Sequence, residues 1–289
     1  SPSVALRALK DDVRTVIEYS PSEGYESYRE ALSMYYKNAS IHVEVDDLIV
    51  TTGGSEALIF GMLSCMDPGD EIIIPEPFYA NYNGFAKMVG VNIVPVTAYI
   101  DDGFALPPIE DFEAKITSKT KAILICNPGN PTGKVYNSEA LDALAKLVLK
   151  HDLYIFSDEV YREFCYDGSQ PKSVLELEGL AQNAIMIDSV SKRFSMCGAR
   201  VGALVTKNAA LRQTIMKFAM ARLSPPTLGQ IASEAALKAP ASYFEDVRSC
   251  YVNRRDVLVN GLNNIPGVTC PTPGGAFYAV CKLPIDNSD

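Results

Sequence analysis

The residues best placed to do chemistry lie at the ends of short apolar runs. Lys192 stands in Ser-Val-Ser-Lys (189–192), directly after Ala-Ile-Met-Ile-Asp (184–188), and Arg200 comes eight residues later. A lysine at the bottom of an apolar crevice can lose its proton and act as nucleophile or base; the plainer reading of any single lysine is a solvated surface group. Asp158-Glu159 comes directly after Leu-Tyr-Ile-Phe-Ser (153–157). A carboxylate there is costly unless it meets a cation or hydrogen-bond donors, although a helix cap or a surface pair would also explain it. Tyr161, three residues beyond Asp158, can approach the same side or simply pack. Gly53-Gly54-Ser55-Glu56 opens a helical stretch after Asp-Leu-Ile-Val-Thr-Thr (47–52). Free backbone N–H groups and the helix dipole at such a start suit an anion such as phosphate; an ordinary N-cap serine is the alternative. Asn127-Pro128-Gly129-Asn130-Pro131-Thr132-Gly133 packs two prolines and two glycines into seven residues. It is a stiff loop that either holds the Asn130 amide over a ligand or merely connects two elements. Tyr79, in Glu-Pro-Phe-Tyr-Ala-Asn-Tyr (76–82), offers a flat aromatic face or core packing.

Counts narrow the chemistry further. His42 and His151 are the only histidines and lie far apart, so neither a zinc site nor a Ser-His-Asp triad is expected, and no metal ligand set is assigned. Seven cysteines, an odd number with no Cys-x-x-Cys pair, suit reduced thiols in the cytoplasm. The formal net charge of −9, without a basic run, argues against nucleic acid and anionic membranes as partners. No apolar stretch approaches the roughly 18 residues of a membrane span. The start, Ser1 to Arg14, has no apolar signal core and no initiator Met, so no signal peptide is expected and the true start is expected to lie upstream.

These residues need elements that bring them together. Seven β-branched, apolar runs recur at 47–52, 71–75, 92–96, 121–126, 153–157, 184–188 and 202–206. Helical spacing separates most of them, most clearly over 138–152, where Leu141, Leu144, Ala145, Leu147 and Val148 share a face and Asn137 or Ser138 can cap the start. The alternation predicts an α/β fold, with a mostly parallel sheet covered by helices on both faces. Beyond about residue 208 the pattern changes to helices over 211–222, 230–239 and 241–264, then two short strands around Pro273-Gly274-Gly275. We therefore expect a large domain over 1–235, its first twenty or so residues an arm toward the small domain or a partner, and an incomplete α+β small domain over 236–289. In open α/β sheets ligands bind beyond the carboxyl ends of the strands. Five of the segments singled out above sit there. A phosphate cradle, an aromatic plate, a carboxylate, a fixed amide, a lysine and an arginine at one sheet edge together fit pyridoxal phosphate. A nicotinamide dinucleotide fits less well: the Gly-rich turn is not Gly-x-Gly-x-x-Gly, and no ribose-binding acid stands downstream of it.

With these motifs in their order and spacing (Asn127–Gly133, Ser157–Tyr161, Ser189–Lys192, then Gly198–Gly202), the sequence resembles the class I/II aminotransferases, fold-type I enzymes of the aspartate aminotransferase type, from residue 1 to 289. The resemblance implies an enzyme that moves an amino group between an L-amino acid and a 2-oxo acid. It implies Lys192 as the Schiff-base lysine, Asp158 as the partner of the pyridine nitrogen, and Asn130 and Tyr161 on the phenolic oxygen. Tyr79 would stack on the ring, and Gly54, Ser55, Glu56, Ser189 and Arg200 would hold the phosphate. Tyr19 matches a tyrosine that reaches the phosphate of the other subunit, which implies a homodimer with shared sites. Family members also begin earlier and continue past the segment that here runs from Pro271 to Tyr278, and that continuation supplies the arginine for the substrate α-carboxylate; the chain is thus expected to be shortened at both ends. A C–S β-lyase, an aminocyclopropane-carboxylate-synthase-like enzyme and a non-catalytic cofactor-binding fragment share most of these motifs and stay open at this point.

Overall fold

The computed structural model describes residues 1–285. All seven apolar runs form strands: β1 (Leu48–Thr51), β2 (Glu71–Glu76), β3 (Asn92–Thr97), β4 (Thr120–Cys126), β5 (Tyr154–Asp158), β6 (Ala184–Ser189) and β7 (Gly202–Val205). The helices are α1 (Ser3–Lys10), α2 (Glu26–Asn38), α3 (Gly53–Cys65), α4 (Asn81–Val89), α5 (Ile109–Glu113), α6 (Ser138–Lys150), α7 (Val190–Arg193), α8 (Ala209–Arg222), α9 (Thr227–Ala236) and α10 (Ala241–Asn263).

The strands form one sheet in the order β1-β7-β6-β5-β4-β2-β3. Pairing is parallel from β3 through β6, and β7 alone runs against both of its neighbours, β1 and β6. The mostly parallel sheet results from the alternation of runs and helices; the reversed strand has a local cause. A parallel return needs a crossover of a dozen residues or more, usually a helix lying on a sheet face. Residues 190–201 just reach that length but contain only the four-residue α7 and the single turn Cys197–Ala199, with no helix to lie on a sheet face, so β7 comes straight back.

Successive strand residues feed opposite faces. Ile123, Ile125, Ile155 and Met186 pack with α2, α6 and α9, whereas Ala122, Leu124, Phe156, Ile185 and Ile187 pack with α3, α4 and α8. Both faces are buried, which is why the strands read as continuous apolar runs. On α6 the five residues expected on one face are all buried, and the Asn137 side chain accepts from Ala140 N at 2.9 Å, capping the helix start.

The ends of the chain depart from expectation in two places. The arm begins with a docked helix: α1 lies against α9, Ala5 is buried, and Ser1 Oγ donates to the Ser195 carbonyl. The extended part of the arm starts only beyond α1, where Val13, Val16, Ile17 and Tyr19 are exposed. Farther along, the two strands around Pro273-Gly274-Gly275 do not form. Only single bridges occur there, Thr269 with Lys282 and Gly275 with Cys165. Pro271 and Pro273 have no N–H to give a ladder, and the segment packs instead on the loop after β5, Phe277 and Tyr278 meeting Tyr161 and Phe164. The expected domain boundary falls at the end of α9, but Tyr243 and Phe244 of α10 still pack on Phe194 of the main core. Residues 286–289 of the expected small domain lie outside the described residues.

Candidate active site

A cavity of about 250 Å³ opens beyond the carboxyl ends of the strands, near the small end of the range for small-molecule sites. β1 leads into Gly54 and Ser55, β2 into Tyr79 and β4 into Asn130. β5 supplies Asp158 and leads into Tyr161; β6 supplies Ser189 and leads into Lys192, with Arg200 beyond the turn.

Asp158 is 7% exposed and accepts from Tyr82 Oη at 2.8 Å and from the Val160 N–H at 3.4 Å. Burial pushes its carboxyl up from the ordinary 3.8 to about 6, only partly offset by those donors. The same burial holds the Tyr82 and Tyr161 phenols in their neutral, donating form. Asn130 Nδ2 donates to Tyr161 Oη at 3.2 Å, and Tyr278 Oη stands 2.9 Å from that oxygen. The Asn127–Gly133 loop is closed on itself by Gly129 N to Lys134 O, and pinned by the Asn127 side chain accepting from Tyr136 N. Asn130 is therefore held by backbone, as its prolines and glycines suggest. The Lys192 amine stands 5.9 Å from the centre of the Phe277 ring. Tyr79 accepts from Asn81 Nδ2 at 2.7 Å and meets Tyr82 edge-on.

Another part of the cavity wall is built for an anion. At the start of α3, Thr52 N–H donates to Glu56 Oε2 at 2.7 Å, and the next amides, as in the first turn of any helix, have no intrahelical acceptor. Gly53 has φ +77°, and a Cβ there would come within 2.4 Å of Arg200 Nη2, so only glycine lets the guanidinium lie against the helix start. Arg200 itself is left-handed at φ 52°, a strained backbone of the kind that collects at ligand sites. Ser189 Oγ caps α7, accepting from Ser191 N at 3.1 Å, with Ser191 Oγ 2.8 Å away.

Two of the named residues stand outside this chain's cavity lining. The Glu56 carboxylate turns away from the cavity: it accepts from Thr52 N–H and pairs with Arg222 at 3.1 Å, so it shapes the helix start and cannot itself meet a phosphate. Tyr19, expected at the phosphate of the other subunit and not in this chain's own cavity, is 72% exposed. Sequence reasoning missed Tyr82, the donor to Asp158. Its position three residues after Tyr79, in the first turn of α4 just past the loop that holds Tyr79, is the signal that could have found it. It also missed Tyr278 and Cys197 on the cavity wall.

The group best matched to this donor set is pyridoxal phosphate. The test is Asp158: a buried carboxylate facing a cavity, with a phenol and an amide as partners and no cation paired with it among the described residues. A protonated pyridine nitrogen would supply the missing partner, and the α3 start with Arg200 would receive the phosphate. Among the described residues no cluster of three His, Cys, Asp or Glu could hold a metal ion, and no helix is long and apolar enough to cross a membrane.

Comparison with known proteins agrees with this chemistry. The family described as Aminotransferase class I and II matches residues 1–286. A Bacillus subtilis protein named as an aminotransferase is 38% identical over 264 residues, covering 90% of this chain and 67% of its own length. The aspartate/prephenate aminotransferase of Thermus thermophilus is 33% identical over 269 residues, 91% of this chain and 68% of its own. Among solved structures, the alanine aminotransferase from Pyrococcus furiosus superposes with a TM-score of 0.92 at 30% identity, over 99% of this chain and 74% of that one. The chain belongs to the class I and II aminotransferases. It is a pyridoxal-phosphate-dependent transaminase, with amino acids and 2-oxo acids as substrates.

Proposed function

We propose that transamination here is carried by Lys192 and Asp158, which line one cavity, in a homodimer whose sites are shared. The observation that carries the reading is Asp158, buried without a paired cation among the described residues, on the wall of the cavity that Lys192 also lines. Pyridoxal phosphate, when bound, supplies an electron sink for the charge left when a substrate Cα loses its proton. Lys192 anchors the cofactor, and its amine takes the Cα proton and returns it. Asp158, ionised, keeps the pyridine nitrogen protonated. Tyr161 and Asn130 bind the phenolic oxygen and fix the ring angle, and Tyr79 covers a ring face. The amides of Gly54 and Ser55, the Ser189 hydroxyl and the Arg200 guanidinium hold the phosphate.

Tyr19 acts on the partner's phosphate in this reading. Support comes from how its segment is held. Gln230 of α9 accepts from Tyr25 N and donates to Ser20 Oγ, and Thr227 Oγ1 donates to the Glu18 carbonyl, so the segment is fixed on α9 while Tyr19 and the apolar Val16 and Ile17 point outward. Seven scattered free thiols support a cytoplasmic setting. The relatives' names support aspartate as the first amino donor to try.

The test is borohydride reduction of the cofactor-loaded chain and then peptide mapping. The label is expected on the peptide carrying Lys192, and turnover of aspartate with 2-oxoglutarate is expected in the unreduced sample. A label on another lysine removes Lys192 from this role.

A further inference from the structure

The turn that carries Lys192 is tied down from behind by residues to which none of the roles above is given. α7 is four residues long, too short for internal hydrogen bonds to fix its direction. Asp188, the last residue but one of β6, fixes it instead. Its Oδ1 accepts from the Ser189 N–H at 2.7 Å, and its Oδ2 accepts from the Arg193 guanidinium and from Tyr36 Oη, the latter at 2.6 Å. One carboxylate thus grips the chain on both sides of Lys192. Asp188 and Arg193 are each 2% exposed at the side chain. Among the described residues Arg193 Nε and Nη1 have no hydrogen-bond partner, so the guanidinium is held by Asp188 and by the face of Tyr35, 4.0 Å from its carbon to the ring centre.

The same helix, α2, reaches the other chemical loop. Tyr35 Oη donates to Glu163 at 2.5 Å, and Arg162, paired with the buried Glu159, lies 5.5 Å from the Tyr36 ring centre. Glu159, Arg162 and Glu163 belong to the loop after β5, which follows Asp158 directly and carries Tyr161. Two adjacent tyrosines therefore touch the backs of both loops whose fronts face the cavity. Stability is a poor reason for such a cluster, because apolar side chains of similar volume commonly hold a core as well as a desolvated ion pair does. What a directional network gives that an apolar plug does not is a fixed register between the two loops.

We propose that Tyr36, Asp188 and Arg193 are positioning residues that aim Lys192 relative to Asp158 and Tyr161, with Tyr35 joining the second loop to the same clamp. The inference rests on the assignment of Lys192 above. A displacement of about 1 Å at the reacting amine is enough to cost on the order of 10²-fold in rate, so the clamp acts on turnover before it acts on substrate affinity.

Three variants of the full chain, loaded with pyridoxal phosphate, test this: Tyr36→Phe, Arg193→Lys and Arg193→Met. For each, kcat and KM for the amino donor are measured, together with the pH midpoint of the visible absorbance and the thermal midpoint of the cofactor-free protein. The expected result for Tyr36→Phe is a kcat lower by about 10-fold, KM within about twofold, and a displaced absorbance midpoint. Arg193→Lys keeps the charge and is expected to retain more turnover than Arg193→Met. If Arg193→Met does not fold, the other two variants carry the test. Lowered thermal midpoints with unchanged kcat and absorbance midpoint in Tyr36→Phe and Arg193→Lys would overturn the proposal, since the cluster would then be structural only. Borohydride labelling of the unaltered chain separates the two claims. A label on Lys192 with silent variants removes the clamp alone; a label elsewhere removes both.

Discussion

Asp158 must carry charge where water hardly reaches it. In the cofactor-free protein, burial raises its pKa from 3.8 to about 6. The folded chain then binds more protons at this site than the unfolded chain between about pH 4 and pH 6. Its stability contribution is full below that window and is lost as pH rises through it. A shift of about two units corresponds to about 3 kcal/mol at most. Asp158→Asn removes this dependence. Urea unfolding of both cofactor-free proteins should therefore show the variant gaining on the parent from pH 4 to pH 6, with a constant difference above pH 7. A difference that does not vary with pH would mean that Asp158 titrates normally. Asp188 shows the opposite balance: burial acts to raise it too, but Arg193, Arg162 and Tyr36 hold it below the ordinary carboxylate range. The two carboxylates are both buried, yet among the described residues one meets only a phenol and an amide while the other is paired with a guanidinium. That difference was not legible in the sequence. Asp158 could be read because it ends an apolar run beside other polar residues at strand ends. The Asp188 partners Tyr36 and Arg193 come from places 152 and 5 residues away, and nothing in the spacing of Tyr36 marks it as other than a helix residue.

At the level of elements, strands and most helices were legible because each hides an apolar face, and burial enforces the period that the sequence shows. The failures fell where burial is shared with distant parts of the chain. The expected strands around Gly274 became single bridges, since their partner is the loop after β5 and their prolines cannot extend a ladder. The reversed direction of β7 likewise depends on how much chain α7 consumes, which no local pattern states. β7 also brings two backbones unusually close. A Cβ on Gly202 would lie 2.5 Å from the Gly53 carbonyl carbon and 2.7 Å from Gly54 N, the start of the anion-binding turn. Gly202→Ala should therefore push α3 off the sheet. A loss of about 2 kcal/mol in urea unfolding is expected, typical of an overpacked contact, with a weakened hold on pyridoxal phosphate measured by equilibrium dialysis. Unchanged values for both would show that the strand and helix can part at no cost.

At the scale of the whole molecule, a shared site predicts complementation. In a mixed dimer of Tyr19→Phe and Lys192→Ala chains, one site joins both lesions and the other has neither, so a purified heterodimer should regain turnover that neither parent dimer shows in full. No recovery in a demonstrated heterodimer would place Tyr19 outside the chemistry. The sheet order has a consequence for how the chain is made. Thr51 pairs with Gly202, and the roughly 150 residues between them take about 8–30 s to translate at 5–20 residues per second. During that interval the oldest strand has no ladder partner, and only the Glu23 carbonyl, already synthesised, is at hand for the Val50 N–H. The run β3-β2-β4-β5-β6 has no such delay, because each strand docks beside one that has already left the ribosome. Assembly on the ribosome therefore proceeds from the middle of the chain outward, and its first strand is among the last to be enclosed.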